Sequence, residues 1–138
     1  MKMNLSSNVN FLIGLHSQLK IFHWQTKGFA RHEAFAETRD TLEGLMDEFV
    51  EQSMGQYGRF QLDDETNTIE LVNIGNVKPE EMIETVCQSF VQWTDNIDEK
   101  DTNLLNLRDE MLGLFQKLKY LLTLNTVSYT HLTLPTKG

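Results

Sequence analysis

His23, His32, Asp47 and Glu51 are metal-ligating residue types at spacings that invite a test. Asp47 and Glu51 are four apart, so on a helix they share one face. His23 and His32 flank Gly28 almost symmetrically, which sets them at one level on two adjacent helices. Mixed imidazole and carboxylate ligation suits Fe(II), and also Zn or Mn. Open positions on iron would admit an oxidant, so the reaction implied is Fe(II) to Fe(III). The reach is the difficulty. His32 precedes Asp47 by fifteen residues, about 22 Å along a helix axis. A complete site therefore needs histidines from one chain and carboxylates from another, brought together by two antiparallel helix surfaces about a two-fold axis. The plainer alternative is a pair of boundary histidines and a solvated acidic face that Glu33, Asp40 and Glu48 extend. His16 shares a face with His23 but stands about 10 Å from it, and reads as structural. Trp24 and Trp93 read as core or interface aromatics, and Cys87 as packing on the core side of a helix.

Four segments carry the 3.6-residue apolar period that would position these groups. In the first the stripe is Leu12, Leu15, Leu19 and Phe22, with Ser6, Ser7 or Asn8 as cap and Gly28 beyond the stop. The second runs from about Arg31 to Tyr57 with Phe35, Leu42, Leu45 and Phe49, and Gly55 and Gly58 end it. The third opens at Pro79 ahead of Glu80 and Glu81, with Met82, Val86, Phe90, Trp93 and Ile97. Asp101 or Thr102 caps the fourth, whose stripe is Leu104, Leu107, Met111, Leu114, Leu118 and Leu121. Between the second and third lie about twenty residues, 59–78, in which "TIELVNIGN" reads as a short extended segment. A link of that length can return along a helix of roughly 40 Å, so the second and third helices can run parallel. The expected fold is all-α, a ferritin-like four-helix bundle with one long crossover between helices two and three.

Ferritin-like di-iron sites use Glu-x-x-His pairs, and none occurs here. The stretch "LKIFHWQTKGFARHEAF…LMDEFVEQ" instead resembles Dps, the mini-ferritin branch, around its ferroxidase site, over residues 12–52. The resemblance matches His23 with Trp24, then His32, then Asp47 with Glu51. It implies a site shared across a dimer interface, with His23, His32, Asp47 and Glu51 holding iron. Two departures stand out. The turn between the histidines is about three residues shorter, and Ala36 replaces the acid expected four residues after His32. Through "FHWQT", "DEFVE" and "GQYGR" the chain also resembles short, uncharacterised ferritin-like proteins of tailed phages, a likeness that carries no activity with it.

At 138 residues the chain suits one domain, and a net charge of −8 with a pI near 4.9 argues against nucleic-acid or anionic-membrane partners. No apolar run approaches the ~20 residues of a membrane span, and no secretory leader pattern opens the chain. One cysteine rules out an internal disulfide framework. Residues 127–138, "VSYTHLTLPTKG", resemble translated sequencing-adapter read-through, with a disordered tail as the alternative; either way they are set apart, which discounts His131, and the bundle is assigned to 1–126. The expectation is a cytoplasmic protein (host cytoplasm if viral) that self-associates through its helix-two faces into a dimer or larger shell. Its iron chemistry is weakened by Ala36. The alternative is a non-catalytic helical bundle, structural or interaction-mediating, that keeps the mini-ferritin shape.

Overall fold

The computed structural model describes residues 3–124; the reading of 127–138 and of His131 lies outside them. The described residues are all-α. The helices are α1 (Leu5–Gln25), α2 (Phe29–Tyr57), α3 (Pro79–Gln92) and α4 (Thr102–Leu121), and a single 3₁₀ turn at Trp93–Asp95 follows α3.

Cross-helix contacts fix the directions. His23 meets His32 and His16 meets Glu43, so α1 and α2 are antiparallel. Arg31 reaches the Leu122 carbonyl and Tyr57 reaches Asp101, so α2 and α4 are antiparallel. Glu84 pairs with Lys119 while Arg108 reaches the Phe90 carbonyl, so α3 and α4 are antiparallel too. It follows that α2 and α3 run parallel, with Arg31 on Glu80 joining their starts. Phe11 carries α1 to α3, edge-on to Phe90 at 5.3 Å and to Trp93 at 5.8 Å. The core between the helices holds Phe22, Phe35, Phe49, Phe90 and Phe115, all fully buried. Each contributes about 1.5–3 kcal/mol of burial.

The ends and stripes differ from expectation in particular ways. Asn4, not a residue of 6–8, caps α1 by accepting the Ser7 amide. Gly55 lies inside α2, and Gly58 alone ends it, with the positive φ of 89° that a side chain resists. On α3 the deeply buried position is Ile83 rather than Met82, and on α4 it is Phe115 rather than Leu114. The same stripes admit a shift of one residue because both neighbours are apolar. Asp101 sits at the N-cap of α4 but spends its carboxylate on the Tyr57 hydroxyl instead of the helix amides. Arg108, 9% exposed, donates to the Phe90 carbonyl and the Thr94 hydroxyl, so it closes the C-terminal end of α3 with a cation.

The crossover, 59–78, has no regular secondary structure, and α1 holds it by side chains. Ser6 meets Thr66 and the Asp63 amide. Asn10 donates to the Thr68 carbonyl. Gln18 both donates to the Val72 carbonyl and accepts from the Val72 amide, each at 2.8 Å. Gln25 does the same for the Asn73 side chain and the Ile74 amide. From Asn10 to Gln25 is about 22 Å of helix, and residues 68–74 span it only if nearly fully extended at ~3.3–3.6 Å each. The expected extended segment is thus present, paired with glutamine amides rather than with another strand. Gly14 leaves room for Ile69 to lie against α1, where an added Cβ would touch Ile69 Cγ2 at 3.5 Å.

Candidate functional site

The short link 26–28 turns α1 into α2 and brings His23 and His32 face to face. Their rings stack with centroids 3.8 Å apart and planes 22° from parallel. The clasp is reciprocal. His23 Nδ1 lies 2.8 Å from the His32 carbonyl oxygen, and His32 Nδ1 lies 2.8 Å from the His23 carbonyl oxygen. A carbonyl only accepts, so both Nδ1 atoms carry hydrogen and both lone pairs of the neutral rings sit on Nε2. Among the described residues neither Nε2 makes a hydrogen bond. An imidazole that ligates through one nitrogen and donates the other N–H to a carbonyl is the usual arrangement around bound metals. Both rings are half-buried, and Phe22 packs on Phe35 at 5.5 Å as a further contact between α1 and α2.

The stacking limits what the pair can do together. A ligated ion lies in the ring plane, about 2 Å beyond nitrogen and so about 3 Å from the ring centre. Two stacked rings with centroids 3.8 Å apart and planes only 22° from parallel do not bring their planes together at that ligation distance. One ion cannot lie in both planes, so each Nε2 stands alone.

Asp47 and Glu51 are exposed on α2, opposite its buried Phe35, Leu42 and Phe49. Neither makes a hydrogen bond or ion pair among the described residues. They belong to an outward stripe of Glu33, Glu37, Asp40, Gly44, Asp47, Glu48 and Glu51, all exposed and without a lysine or arginine among them. No group of three or more His, Cys, Asp or Glu able to hold a metal exists among the described residues. Within a single chain the histidines and the carboxylates are therefore apart, as their spacing requires.

On the α1-facing edge of α2, His32, Ala36, Arg39 and Glu43 recur at helical spacing. Ala36 offers no donor. Glu43 stands 3.3 Å from His16 Nε2, within ion-pair distance but without hydrogen-bond geometry. Arg39 has its Nη2 3.2 Å from Asp40, while its Nε is buried without a hydrogen-bond partner. Sequence reasoning passed over Arg39. The available signal was a cation three residues after Ala36, on the face that carries His32.

Trp24 is 64% exposed with Lys20 over its ring at 5.2 Å, so it is a surface aromatic, while Trp93 is buried. Cys87 is buried, and desolvation pushes its thiol up. No helix among the described residues is long and apolar enough to cross a membrane.

The chain is thus two antiparallel helix pairs joined by a crossover that leaves α2 and α3 parallel, with a histidine clasp at one turn and an acidic stripe on α2. The chain belongs to a family of unknown function, DUF5856, whose pattern matches residues 23–122 and so takes in the clasp, the stripe and the crossover. It is 28% identical over 102 residues to an uncharacterised 14.6 kDa protein encoded in the mobD–ri intergenic region of Enterobacteria phage T4, covering 74% of each chain. No solved structure matches it.

Proposed function

We propose that this is a phage-type, mini-ferritin-like bundle that binds Fe(II) between two copies of itself. Each site takes a histidine Nε2 from one chain and Asp47 with Glu51 from the other. The observation that carries the reading is the clasp: two Nδ1–H groups are committed to carbonyls, and two Nε2 lone pairs are left for a ligand. The donor set suits Fe(II), which is the cargo and the reductant here: two Fe(II) would each give one electron to hydrogen peroxide, which takes up two protons and leaves as two waters, while the iron becomes Fe(III).

The acidic stripe adds a condition. Two α2 faces that both present Glu33, Glu37, Asp40, Asp47, Glu48 and Glu51 repel each other. Cations between them offset that repulsion. Association through α2 should therefore depend on divalent metal, and Gly44, exposed mid-stripe with nothing within 4 Å of an added Cβ, lets a second helix approach closely.

The test is anaerobic Fe(II) titration of the full chain by calorimetry, with sedimentation velocity on the same samples. The expected result is saturable micromolar binding, with dimer or larger species that revert to monomer in chelator. Asp47→Ala/Glu51→Ala should lose both. Unchanged heats in that variant would defeat the reading. A second reading is favoured by Ala36: the bundle keeps the mini-ferritin shape as a non-catalytic interaction module. Absence of metal-dependent heat or association in the native chain would select it.

A further inference from the structure

We infer that the bundle associates end to end, the Trp24 tip of one copy seating in the hollow lined by Met3, Tyr57 and Phe60 of the next; this is independent of the metal reading above. Two helices start and two stop at each end of the bundle, so their dipoles offset one another and side chains set the charge there. The end that carries the α1–α2 turn is basic. From Lys20 to His32 the chain has Lys20, Lys27 and Arg31 and no acid, in a protein of net charge −8. At the same end Arg31 answers Glu80 and Lys119 answers Glu84. The charges left over there among the described residues are Lys20, Lys27, Lys78 and Lys117 against Glu33 and Glu81. Trp24 stands out from this end, 64% exposed, with Lys20 over its ring and Phe29 exposed across the turn.

The opposite end is acidic. Asp63, Asp64 and Glu65 of the crossover lie beside the start of α1, where Ser6 meets the Asp63 amide. Asp95, Asp98, Glu99 and Asp101 lie on the α3–α4 link, which Tyr57 ties to the end of α2. Arg59 and Lys100 oppose them, while Arg108 is taken by Asp109. This end also holds a hollow of about 480 Å³, with Met3, Leu5, Tyr57 and Phe60 as apolar walls and Asp63 and Arg59 on its polar side. An indole suits that lining. The walls take its apolar surface, and Arg59 can stack on the ring face that Lys20 does not cover. The two ends are unlike, so the contact is head to tail, and its repetition gives a ring or a filament. A four-helix end about 20 Å across offers roughly 400 Å² a side, about half a standard interface. The association is therefore weak, electrostatic and screened by salt.

The experiment is sedimentation velocity on the full chain in chelator, which removes any metal-dependent contact, at about 20 mM and about 500 mM salt. Tryptophan emission is read on the same samples, and circular dichroism confirms helix content in each variant. Trp93 is already buried, so a blue shift reports burial of Trp24. The native chain should associate with rising concentration at low salt, with that shift, and be monomeric at high salt. Lys20→Glu/Lys27→Glu reverses the tip, and Asp64→Lys/Glu99→Lys reverses exposed charges at the other end. Each variant alone should be monomeric. An equimolar mixture of the two should associate again, because every end then meets its opposite. Trp24→Ala, with all charges kept, should weaken association about tenfold or more. A native chain that stays monomeric at low salt and millimolar concentration, association that neither salt nor either reversal changes, or a mixture that remains monomeric would overturn the inference. So would a blue shift seen only with phosphatidylserine vesicles, which would assign the tip to an anionic membrane instead.

Discussion

Replacing Gln18 tests how the crossover is held. Gln18 is 5% exposed, and its amide donates to and accepts from the Val72 backbone at 2.8 Å each way. Gln18→Leu keeps the size and removes both bonds. A buried backbone group left unpaired costs about 1–3 kcal/mol. Val72 is half-buried, so water recovers part of that, and the extra apolar burial of leucine returns about 1 kcal/mol. The net expectation is a loss of about 2 kcal/mol, or roughly 6–10 °C in Tm for a domain of this size. Gln18→Glu discriminates further. At pH 7 its carboxylate can accept from the Val72 amide but meets the Val72 carbonyl without a proton to give, so it should be less stable than Gln18→Leu. Burial and that carbonyl raise the folded-state pKa of the introduced carboxyl above its unfolded value near ~4.3. The penalty is therefore full at neutral pH and fades as pH falls through the raised pKa, because the protonated acid can donate as glutamine does. Urea unfolding at pH 7 and pH 5 reads both. A Gln18→Leu protein within about 0.5 kcal/mol of the parent, the range of an ordinary surface change, or a Gln18→Glu deficit that grows toward acid, would refute the bidentate role.

Three further outcomes are expected. The Tyr57 hydroxyl donates to Asp101, and that bond, with minor desolvation and the nearby Asp98 charge, pushes its pKa up to about 12. Its stabilising contribution is present below the unfolded value near ~10 and is lost as pH rises toward 12; ultraviolet titration of Asp101→Asn should return Tyr57 to near ~10, and an unchanged profile would remove Asp101 as the cause. Arg31 holds the Glu80 carboxyl below the usual carboxylate range, so this tie between α2 and α3 stabilises above the unfolded value near ~4.3 and weakens as pH falls through the depressed one. Glu80→Gln should therefore cost stability at pH 7 and nothing in strong acid, by thermal melts across that range. Cys87 is buried with its thiol pushed up, so a disulfide reagent should label it only at the rate of global unfolding. Fast labelling in native buffer would show that α3 opens locally.

Much of the bundle is legible because burial imposes a period. Phe35, Leu42 and Phe49 mark the core side of α2 unambiguously, as Leu12, Leu19 and Phe22 do for α1. Where two apolar residues adjoin, as at Met82–Ile83 and Leu114–Phe115, periodicity alone does not say which goes deeper. Asn10, Gln18 and Gln25 look like ordinary surface polars, since their partners lie 48 to 58 residues away in a segment without a pattern of its own. The candidate site divides the same way. The types and spacings of His23, His32, Asp47 and Glu51 stand in the chain, and so does the conclusion that one chain cannot close the site. The clasp does not, because it joins side chains to backbone carbonyls across a turn. Nor does the ring stacking that separates the two Nε2 atoms, which depends on an interplanar angle.

The crossover carries one more consequence. Its amides at Val72 and Ile74 are shielded by glutamine side chains rather than by neighbouring main chain. A side chain can swing away through a few rotamer changes, whereas a sheet ladder must unzip. In native-state hydrogen exchange these two amides should therefore open at a low free energy of their own, well ahead of the bundle. The link between the two helical hairpins can then loosen and re-seat, lifting Val72 and Ile74 from the edge of the core, while α1, α2, α3 and α4 stay packed.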